Sequence, residues 1–374
     1  MLTTRGAMSL AIEEARKGLG FVAPNPPVGC VVLDAHGELL AKGFHRVFGG
    51  DHAEIDALKQ IKEESLLKGA TMYVTLEPCA HEGKTPSCAK RLASLPLAKV
   101  VYGVCDPNPL VSGKGAHIIK HAGIQVEEIA AASDDVTDIK NELEELAEVF
   151  LWTHREKKTF VALKVATSLD GQMAHVSGES KWITGEEARL YAHFLRANYD
   201  ATLIGKETFL RDDPGLDVRH PQFIGHKNKI IILDTSGETL ARLEKSNIKK
   251  AHSPQDVYVA VAKTVSISAN EFQIIKCDTD ANGKIDLRSL LEVAYANKIS
   301  SILVEGGARV LSSFLQEGLA QRFYQFIAPK IIGAKSGLSY TREFSISNLP
   351  ERRELRNTKL SRLGTDLLVT GRLD

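Results

Sequence analysis

A histidine and a glutamate stand two positions apart in the segment "DHAEIDAL", and two cysteines follow in "TLEPCAHEGKTPSC". These residues are His52, Glu54, Cys79 and Cys88. One imidazole and two thiolates supply three ligands for a tetrahedral zinc, and a site with three protein ligands keeps its fourth position open for water. The residue types therefore predict a catalytic rather than a structural zinc site.

Each of these residues also has a simpler interpretation when it is taken alone. A glutamate in the first turn of a helix is favoured by the helix dipole, and an isolated cysteine is often a small buried residue. His81 could replace His52 in a different site, or act as a fourth ligand in a noncatalytic, zinc-stabilised scaffold. The order helix-opening H-x-E, strand, E-P-C, loop and second cysteine favours the catalytic zinc site over these alternatives.

Zinc-dependent nucleobase deaminases carry an H-x-E and a later P-C-x-x-C, in which the glutamate shuttles protons and is not a ligand. Here eight residues separate Cys79 from Cys88 instead of two. The intervening segment must therefore form a loop that returns Cys88 to the metal, and Pro86 is expected to start the helix that presents it. The implied chemistry is attack by a metal-activated water, with Glu54 transferring its protons.

Short apolar strands and helical patterns alternate along the whole chain, which predicts an α/β fold built in layers. In the first part the predicted strands are "VGCVVLD", "TMYVTLEPC" and "KVVYGVCD". The predicted helices are Met8 to Lys17, Ala53 to Ile61 and "SCAKRLASL". The acidic segment 134–148 is predicted to be a solvated helix, and a domain boundary is expected near 150 to 157, giving domains 1–150 and 151–374.

The second part repeats the alternation. Its predicted strands are "FVALKVA", "ATLIG", "KIIILD", "VYVAVA", "QIIKC", "SILVEGG", "RFYQFIAPKII" and "DLLVTGRL". Its predicted helices are Glu186 to Ala197, Leu287 to Asn297 and Arg309 to Gln316. No G-x-G-x-x-G follows a strand, so a Rossmann fold is not indicated. The glycine pair in "SILVEGGARVLSSFL" either lets a phosphate approach the start of a helix or forms a plain strand-to-helix turn.

Composition excludes several classes of protein. The 374 residues carry 47 basic and 47 acidic side chains, so no basic footprint for nucleic acid is present at the level of the whole chain. The sequence shows neither a signal peptide nor a membrane span, and a cytoplasmic location is expected. The five cysteines do not suggest a disulfide framework. Cys30, Cys105 and Cys277 are expected to be core residues.

Longer segments resemble a known enzyme family. "PNPPVGCVV", "HAEIDAL", "TLEPCAHEGKTPSC" and "DPNPLVSGKG" resemble the deaminase half of the bifunctional riboflavin-biosynthesis deaminase and reductase family. "LKVATSLDG", "SGESKWITG", "LRANYDATLIGKETFLRDDPGLDVR" and "VEGGARVLSSFL" resemble its reductase half. The resemblance implies an N-terminal cytidine-deaminase-like three-layer domain and a C-terminal dihydrofolate-reductase-like domain.

The resemblance also implies the site residues. Zinc would be held by His52, Cys79 and Cys88, with Glu54 as the proton shuttle and Asn25 directed at the sugar. The residues expected to border NADPH are Ala166, Trp182, Thr208, Asp212, Thr235 and Gly307. The residues expected to meet the substrate in the reductase are Lys164, Ser180, Arg196, Leu216, Arg219 and Glu305.

Some of these assignments have alternatives. Lys164 could be an ordinary strand lysine, Trp182 could be core packing, and the surroundings of Thr235 are those of a generic turn. Lys84 and Ser87 stand where the family usually has arginine and proline. The roles of these two residues in the substrate loop are therefore left open.

The implied function is a bifunctional enzyme of riboflavin biosynthesis. It would deaminate 2,5-diamino-6-ribosylamino-4(3H)-pyrimidinone 5′-phosphate with zinc and then reduce the ribosyl group to ribityl with NADPH. The expected partner is this small phosphorylated pyrimidine, without nucleic acid or membrane, and we expect a homo-oligomer of undetermined size. The alternative is a nucleic-acid or nucleoside deaminase with a noncatalytic binding domain. The zero net charge argues against it, as do Arg196 and Arg219, which suit a sugar phosphate.

Overall fold

The computed structural model of the chain describes residues 2–81, 87–108, 112–129, 137–268 and 270–373. These form two compact units, Met1–Lys157 and Lys158–Asp374. The division falls directly after the helix Glu148–Glu156, which therefore belongs to the first unit. Within the described ranges, no helix is both long enough and apolar enough to cross a membrane.

The first unit contains one mixed sheet. Its strands are β1 (Gly29–Leu33), β2 (Leu39–Phe44), β3 (Thr71–Leu76), β4 (Lys99–Val104) and β5 (Gln125–Glu128). Its helices are α1 (Thr4–Arg16), α2 (Ala53–Leu58), α3 (Cys88–Ala93), α4 (Lys114–His121), α5 (Thr137–Leu146) and α6 (Glu148–Glu156). The strand order is β2-β1-β3-β4-β5, with β3, β4 and β5 parallel and β1 antiparallel to both of its neighbours.

Helices cover both faces of this sheet. Successive side chains of a strand point to opposite faces, and Val31 and Val101 pack with α1 and α5 whereas Val32 and Val100 pack with α2, α3 and α4. Both clusters consist of fully buried apolar side chains, so each helix layer buries its apolar stripe against the sheet. The predicted three-layer α/β arrangement is confirmed.

The second unit contains a larger sheet. Its strands are β6 (Phe160–Ser168), β7 (Gln172–His175), β8 (Ala201–Gly205), β9 (Lys229–Leu233), β10 (Val257–Ala262), β11 (Gln273–Cys277), β12 (Ser301–Val304), β13 (Arg322–Ala328), β14 (Gly337–Ser339), β15 (Leu355–Leu363) and β16 (Asp366–Leu373). Its helices are α7 (Glu186–Asn198), α8 (Lys206–Asp212), α9 (Leu240–Leu243), α10 (Asn247–Ala251), α11 (Leu287–Ala296) and α12 (Ala308–Glu317).

The nine-stranded sheet has the order β11-β10-β9-β8-β12-β6-β13-β16-β15, and β7 pairs with β14 separately. The strands from β11 to β13 in this order run parallel, and β16 and β15 are antiparallel additions. The carboxyl ends of the parallel strands therefore meet at one edge, which is where open α/β sheets bind ligands. The segments that follow β8, β9 and β12 at this edge begin at Lys206, Asp234 and Glu305.

The predicted strands and helices all have counterparts in the structure, whereas β2, β5, β7, β14 and β15 are not predicted from the sequence. The strand predicted for "RFYQFIAPKII" ends at Ala328, directly before a proline, which has no N–H for the ladder. The edge strand β15 was not predicted because nearly all of its side chains are exposed, so its sequence lacks an apolar face. The acidic helix is α5, with Ile139 and Leu143 buried.

The expectation that Cys30, Cys105 and Cys277 are all core residues is partly wrong. Cys30 and Cys277 are fully buried. Cys105 is only half-buried, because it follows β4 in a turn where its thiol donates to Glu77 Oε2 at 3.0 Å.

Candidate functional site

The two predicted zinc-binding cysteines, Cys79 and Cys88, are brought together at the start of a helix by a serine. Cys79 follows β3, and α3 begins at Cys88 with Ser87 as its N-cap. The Ser87 hydroxyl donates to the carbonyl oxygen of Cys79 at 2.9 Å and accepts from the backbone N–H of Lys90 at 3.3 Å. Ser87 thus joins the start of α3 to Cys79, the residue at which the loop begins. Lys84 and Pro86 lie outside the described residues.

The imidazole of His52 meets both sulfurs. His52 is the N-cap residue of α2, and its Nδ1 lies 3.5 Å from Cys79 Sγ and 3.3 Å from Cys88 Sγ. Zinc bonds of ~2.3 Å to sulfur and ~2.0–2.1 Å to nitrogen at a tetrahedral angle separate such ligands by about 3.6 Å. The observed distances fit this geometry, and the three ligand atoms lie within 4.8 Å of one another. His81, although described, is exposed and is not a member of this group.

The two thiols form a tightly coupled pair. A hydrogen bond from the Cys88 thiol lowers the pKa of Cys79 below its usual value, and the same interaction raises the pKa of Cys88. Two adjacent thiols cannot both lose their protons readily unless a cation lies between them. Because a coordinating thiol is deprotonated by its metal, this donor set suits a divalent cation.

Glu54 lies in the first turn of α2 and is only 3% exposed. Burial raises the pKa of Glu54, and the negative charge of Cys79 acts in the same direction. Its carboxyl group is hydrogen-bonded to the thiol of Cys88. A buried carboxyl group with a raised pKa, held beside a metal-binding cluster, is suited to proton transfer near neutral pH.

His45, which sequence reasoning missed, orients Asn25. Its Nδ1 donates to the carbonyl oxygen of Asp51 at 2.8 Å, so Nε2 accepts from the side-chain amide of Asn25 at 3.2 Å. Burial lowers the pKa of His45, which keeps the ring neutral for this pattern. The His45 ring also meets the His52 ring edge-on, with centroids 5.4 Å apart. No spacing rule marks a histidine that acts through an asparagine.

Glu77 is a second residue that sequence reasoning missed. It lies in the E-P-C segment and is almost fully buried. Its carboxylate accepts from the backbone N–H groups of Gly113 at 3.0 Å and Ala116 at 3.2 Å, at the start of α4. Glu77 directly follows β3 and therefore caps α4, the helix that comes after the neighbouring strand β4. The dipole of α4 favours the negative charge of Glu77.

A cavity of about 270 Å³ lies in the second unit. Its lining includes predicted binding residues from both groups, namely Lys164, Ala166, Ser180, Trp182, Arg196, Arg219 and Glu305. Two of the six residues predicted to border the cofactor and five of the six predicted to meet the substrate therefore line one cavity, although they are far apart in sequence. The lining also contains Arg189 and His193, which the sequence did not single out.

The other predicted residues of the second unit do not line this cavity. Thr208 is on α8, and a Cβ at Gly307 would lie 3.4 Å from its Oγ1, so the start of α12 adjoins α8. Asp212 is the last residue of α8, and burial raises its pKa. Thr235 follows β9, and its carbonyl oxygen accepts from a residue of β10. Leu216 is buried in an apolar cluster.

The first glycine of the pair "EGG", Gly306, is required by packing. A Cβ at Gly306 would lie 2.6 Å from the Cβ of Val310, which is closer than side-chain contacts allow. Since glycine lets the backbone pass this close to the first turn of α12, the turn brings backbone N–H groups to the cavity edge.

Glu305 holds two cations in the cavity wall. Arg196 donates to it from Nε at 2.5 Å and from a terminal nitrogen at 3.1 Å, and Lys164 Nζ lies 3.3 Å away. Burial alone favours the neutral acid, but Arg196 and Lys164 lower the pKa of Glu305 to about 2. The group therefore carries one negative and two positive charges, which suits an anionic ligand. Lys164 is not an ordinary strand lysine.

The interpretation of Trp182 as core packing is wrong. Its side chain is 66% exposed at the rim of the cavity. The Arg189 guanidinium lies over its ring, 4.6 Å from the centroid.

Comparisons with known proteins agree with this division into two sites. Residues 1–104 match the sequence model of the "Cytidine and deoxycytidylate deaminase zinc-binding region", and residues 159–369 match the "RibD C-terminal domain". The "Riboflavin biosynthesis protein RibD" of Aquifex aeolicus is 37% identical over 364 residues, which is 97% of this chain and 96% of that protein. The protein of the same name from Escherichia coli is 34% identical over 342 residues, 87% of this chain and 88% of that protein.

Solved structures give the same result. A diaminohydroxyphosphoribosylaminopyrimidine deaminase/5-amino-6-(5-phosphoribosylamino)uracil reductase from Thermotoga maritima is 35% identical and covers 99% of this chain and 98% of its own, with a TM-score of 0.82. The RibD of Acinetobacter baumannii, 33% identical, covers the same shares with a TM-score of 0.80.

Proposed function

Because this chain belongs to the RibD family and is a bifunctional deaminase and reductase of riboflavin biosynthesis, we propose that the deaminase uses zinc and the reductase uses NADPH. We assign deamination to the unit Met1–Lys157 and reduction to the unit Lys158–Asp374, because a boundary at residue 150 would divide the helix Glu148–Glu156. The observation that carries the first half is the convergence of His52 Nδ1 with two cysteine sulfurs beside a buried glutamate.

In the first unit, His52, Cys79 and Cys88 hold the zinc. When bound, zinc supplies a water acidic enough to act as the nucleophile near neutral pH. The substrate is 2,5-diamino-6-ribosylamino-4(3H)-pyrimidinone 5′-phosphate, which loses the amino group of the attacked ring carbon as ammonia. Glu54 takes one proton of the water and gives it to the ring nitrogen, and it then takes the second proton of the water and gives it to the departing amine, because its raised pKa lets it serve as base and as acid.

Asn25 binds the sugar of this substrate. His45 accepts one amide hydrogen of Asn25, which leaves the Asn25 side-chain oxygen available to accept from a sugar hydroxyl. The role of His45 is therefore to fix which way the amide points. This pattern supports the assignment of Asn25 to substrate binding.

In the second unit, the deaminated product is reduced at ribose C1, and the sugar opens to a ribityl chain. The nicotinamide cofactor supplies the hydride, and the protein orients donor and acceptor. The residues that border the cofactor are Ala166, Trp182, Thr208, Asp212, Thr235 and Gly307. The residues that meet the substrate are Lys164, Ser180, Arg196, Leu216, Arg219 and Glu305.

Within that group, charge decides which side chain faces the phosphate. Two nitrogens of the Arg196 guanidinium already donate to Glu305, so Arg196 does not face the phosphate. Together with Lys164 it keeps the Glu305 carboxylate ionised, and this carboxylate faces the sugar. Arg219 is 69% exposed, and the nearest carboxylate to its Nε in the described chain is Asp217, at 3.5 Å. A phosphate carries more negative charge than the Asp217 carboxylate and therefore competes well for the exposed Arg219 guanidinium. Arg219 is the side chain that binds the phosphate.

The test is to incubate the purified chain with the diaminopyrimidinone phosphoribosyl substrate, with and without NADPH. We expect ammonia release in both conditions and ribityl product only with NADPH. The variant Glu54→Gln should lose ammonia release by about 10²- to 10⁴-fold, the size of a general acid–base contribution, and keep its zinc. The matched control Glu13→Gln, at an exposed position of α1, should behave like the wild type. Ammonia release that depended on NADPH would contradict two separate sites.

A further inference from the structure

Trp182 is a large aromatic residue that the fold leaves exposed, yet it is held in place from two sides. Lys330, which follows β13, donates from Nζ to the carbonyl oxygens of Trp182 at 3.0 Å and Ile183 at 2.6 Å. The guanidinium of Arg189 lies over the indole ring. Lys330 thus fixes the backbone of this segment and Arg189 fixes its side chain.

Arg189 has a second contact that sets its position. Its terminal nitrogen donates to the carbonyl oxygen of Thr184 at 2.8 Å, two residues beyond the indole that it covers. No carboxylate in the described ranges lies within ion-pair distance of Arg189, in contrast to Arg196, two helical turns later on α7. The two arginines of α7 therefore have different partners. Arg196 binds the Glu305 carboxylate, whereas Arg189 contacts the Trp182 ring and the Thr184 carbonyl oxygen.

The position of Trp182 at the cavity gives a reason for ordering an exposed indole. Trp182, Thr184 and Arg189 all line it, and the indole stands at its rim. A flat aromatic side chain at the mouth of a cavity is suited to contact the flat ring of a nucleotide cofactor. Such a contact gains affinity when the side chain is ordered beforehand, because less conformational entropy is then lost on binding.

We propose that Arg189 is a positioning residue for the reductase reaction, which holds the Trp182 indole in the orientation that receives the nicotinamide nucleotide. The inference rests on the proposed assignment of Trp182 to the cofactor. Arg189 acts through the indole and the Thr184 carbonyl, and does not itself contact the cofactor. Its loss therefore weakens cofactor binding by leaving the indole mobile.

The experiment uses the full chain with Trp152→Phe, which leaves Trp182 as the only tryptophan because the sequence contains two. In this background we compare Arg189→Leu and Arg189→Lys, the second of which keeps a cation over the ring. The matched control is Arg288→Leu. Arg288 is an exposed arginine of α11 that also donates to a backbone carbonyl oxygen, at 3.2 Å, but it contacts no aromatic ring of the described chain. Three quantities are measured: acrylamide quenching of Trp182 without cofactor, the Kd of NADPH from quenching of Trp182 emission, and kcat and KM of the reductase.

For Arg189→Leu we expect stronger acrylamide quenching and a Kd and KM for NADPH raised about three- to tenfold, in line with loss of a cation–π contact and a hydrogen bond. The kcat at saturating NADPH should change less than twofold, and ammonia release should be unchanged. Arg189→Lys should recover part of the affinity, and Arg288→Leu should match the parent in all three measurements.

Two results would overturn the inference. If Arg189→Leu weakened NADPH binding without changing the quenching of Trp182, Arg189 would be a direct ligand. If neither quantity changed, the contact would have no role in binding. A parent protein that bound neither NADPH nor NADH would instead refute the proposed reductase function, and the inference with it.

Discussion

At the residue scale, Glu305 carries a charge that two neighbouring cations hold inside the second unit. Its pKa in the folded protein is about 2, below its ordinary value of 4.5. A depressed pKa contributes stability that is fully present above the unfolded value and is lost as the pH falls through the folded value. The window for Glu305 therefore runs from about pH 4.5 down to about pH 2.

We predict that the difference in unfolding free energy between the wild type and Glu305→Gln shrinks across this window, by about 3 kcal/mol at most. Urea unfolding at pH 7, 4.5 and 3, followed by the fluorescence of Trp182 in the Trp152→Phe background, measures this difference. The control is Glu343→Gln, which removes an exposed ion pair with Arg309. Surface pairs contribute little, so its difference should stay nearly constant. A constant difference for Glu305→Gln would show that this carboxyl group is not held ionised.

The sequence predicts that His52, Cys79 and Cys88 come together, because H-x-E and E-P-C are short segments with fixed internal offsets, and the fold brings the three possible ligand atoms within 4.8 Å of one another. It does not reveal His45, because this histidine acts through hydrogen bonds to Asn25 and to the carbonyl oxygen of Asp51, and such contacts leave no spacing pattern. Arg189 is missed for the same reason. Helical periodicity places it on one face of α7, but only the fold brings the Trp182 indole under it.

At the element scale, the long separation between Cys79 and Cys88 is bridged by the cap of α3. A short helix has little stability of its own. The start of α3 is held to Cys79 by the Ser87 hydroxyl and by the backbone N–H groups of Cys88 and Ala89. The sequence predicts a helix at Cys88. It does not predict that the cap of this helix binds the residue that carries the other ligand.

We predict that Ser87→Ala lowers zinc affinity by about 10- to 100-fold, the usual effect of losing a residue that orients metal ligands. Its free energy of unfolding should fall by about 1 kcal/mol from the lost cap. Competition with a chromophoric chelator measures the affinity. The control Ser94→Ala changes the other end of α3, where the hydroxyl donates to the carbonyl oxygen of Arg91. Equal zinc affinities for the two variants would contradict the bridging role of Ser87.

The edge strand β15 shows where prediction from the sequence ends, whereas β11 at the opposite edge is recognised from its apolar residues. Central strands such as β6 and β8 consist mostly of buried apolar residues and are recognised from the sequence alone. β15 is polar and largely exposed, and it exists because β16 offers it a partner. Charged residues on an edge strand such as Arg356 and Lys359 disfavour pairing with other chains. Because β15 is polar, a search for alternating apolar residues does not detect it.

At the scale of the whole molecule, each unit has its own sheet and its own apolar clusters. We predict that residues 1–157, produced alone, release ammonia from the substrate, and that residues 158–374 reduce the deaminated product with NADPH. Each rate should lie within about tenfold of the full chain, because a unit with its own core can fold by itself. An inactive but folded fragment would show that its site needs the other unit.

Light scattering of the full chain tests the expected homo-oligomer.

The central claim is that one imidazole nitrogen and two sulfurs bind a single zinc whose remaining position is open to water. X-ray absorption spectroscopy at the zinc edge, on the purified chain with its metal content measured, tests this directly. We predict one zinc per chain with two sulfur ligands at ~2.3 Å, one imidazole nitrogen and one further oxygen from water. A second imidazole in the coordination sphere, fewer than two sulfurs, or no zinc bound by the folded chain would contradict the account.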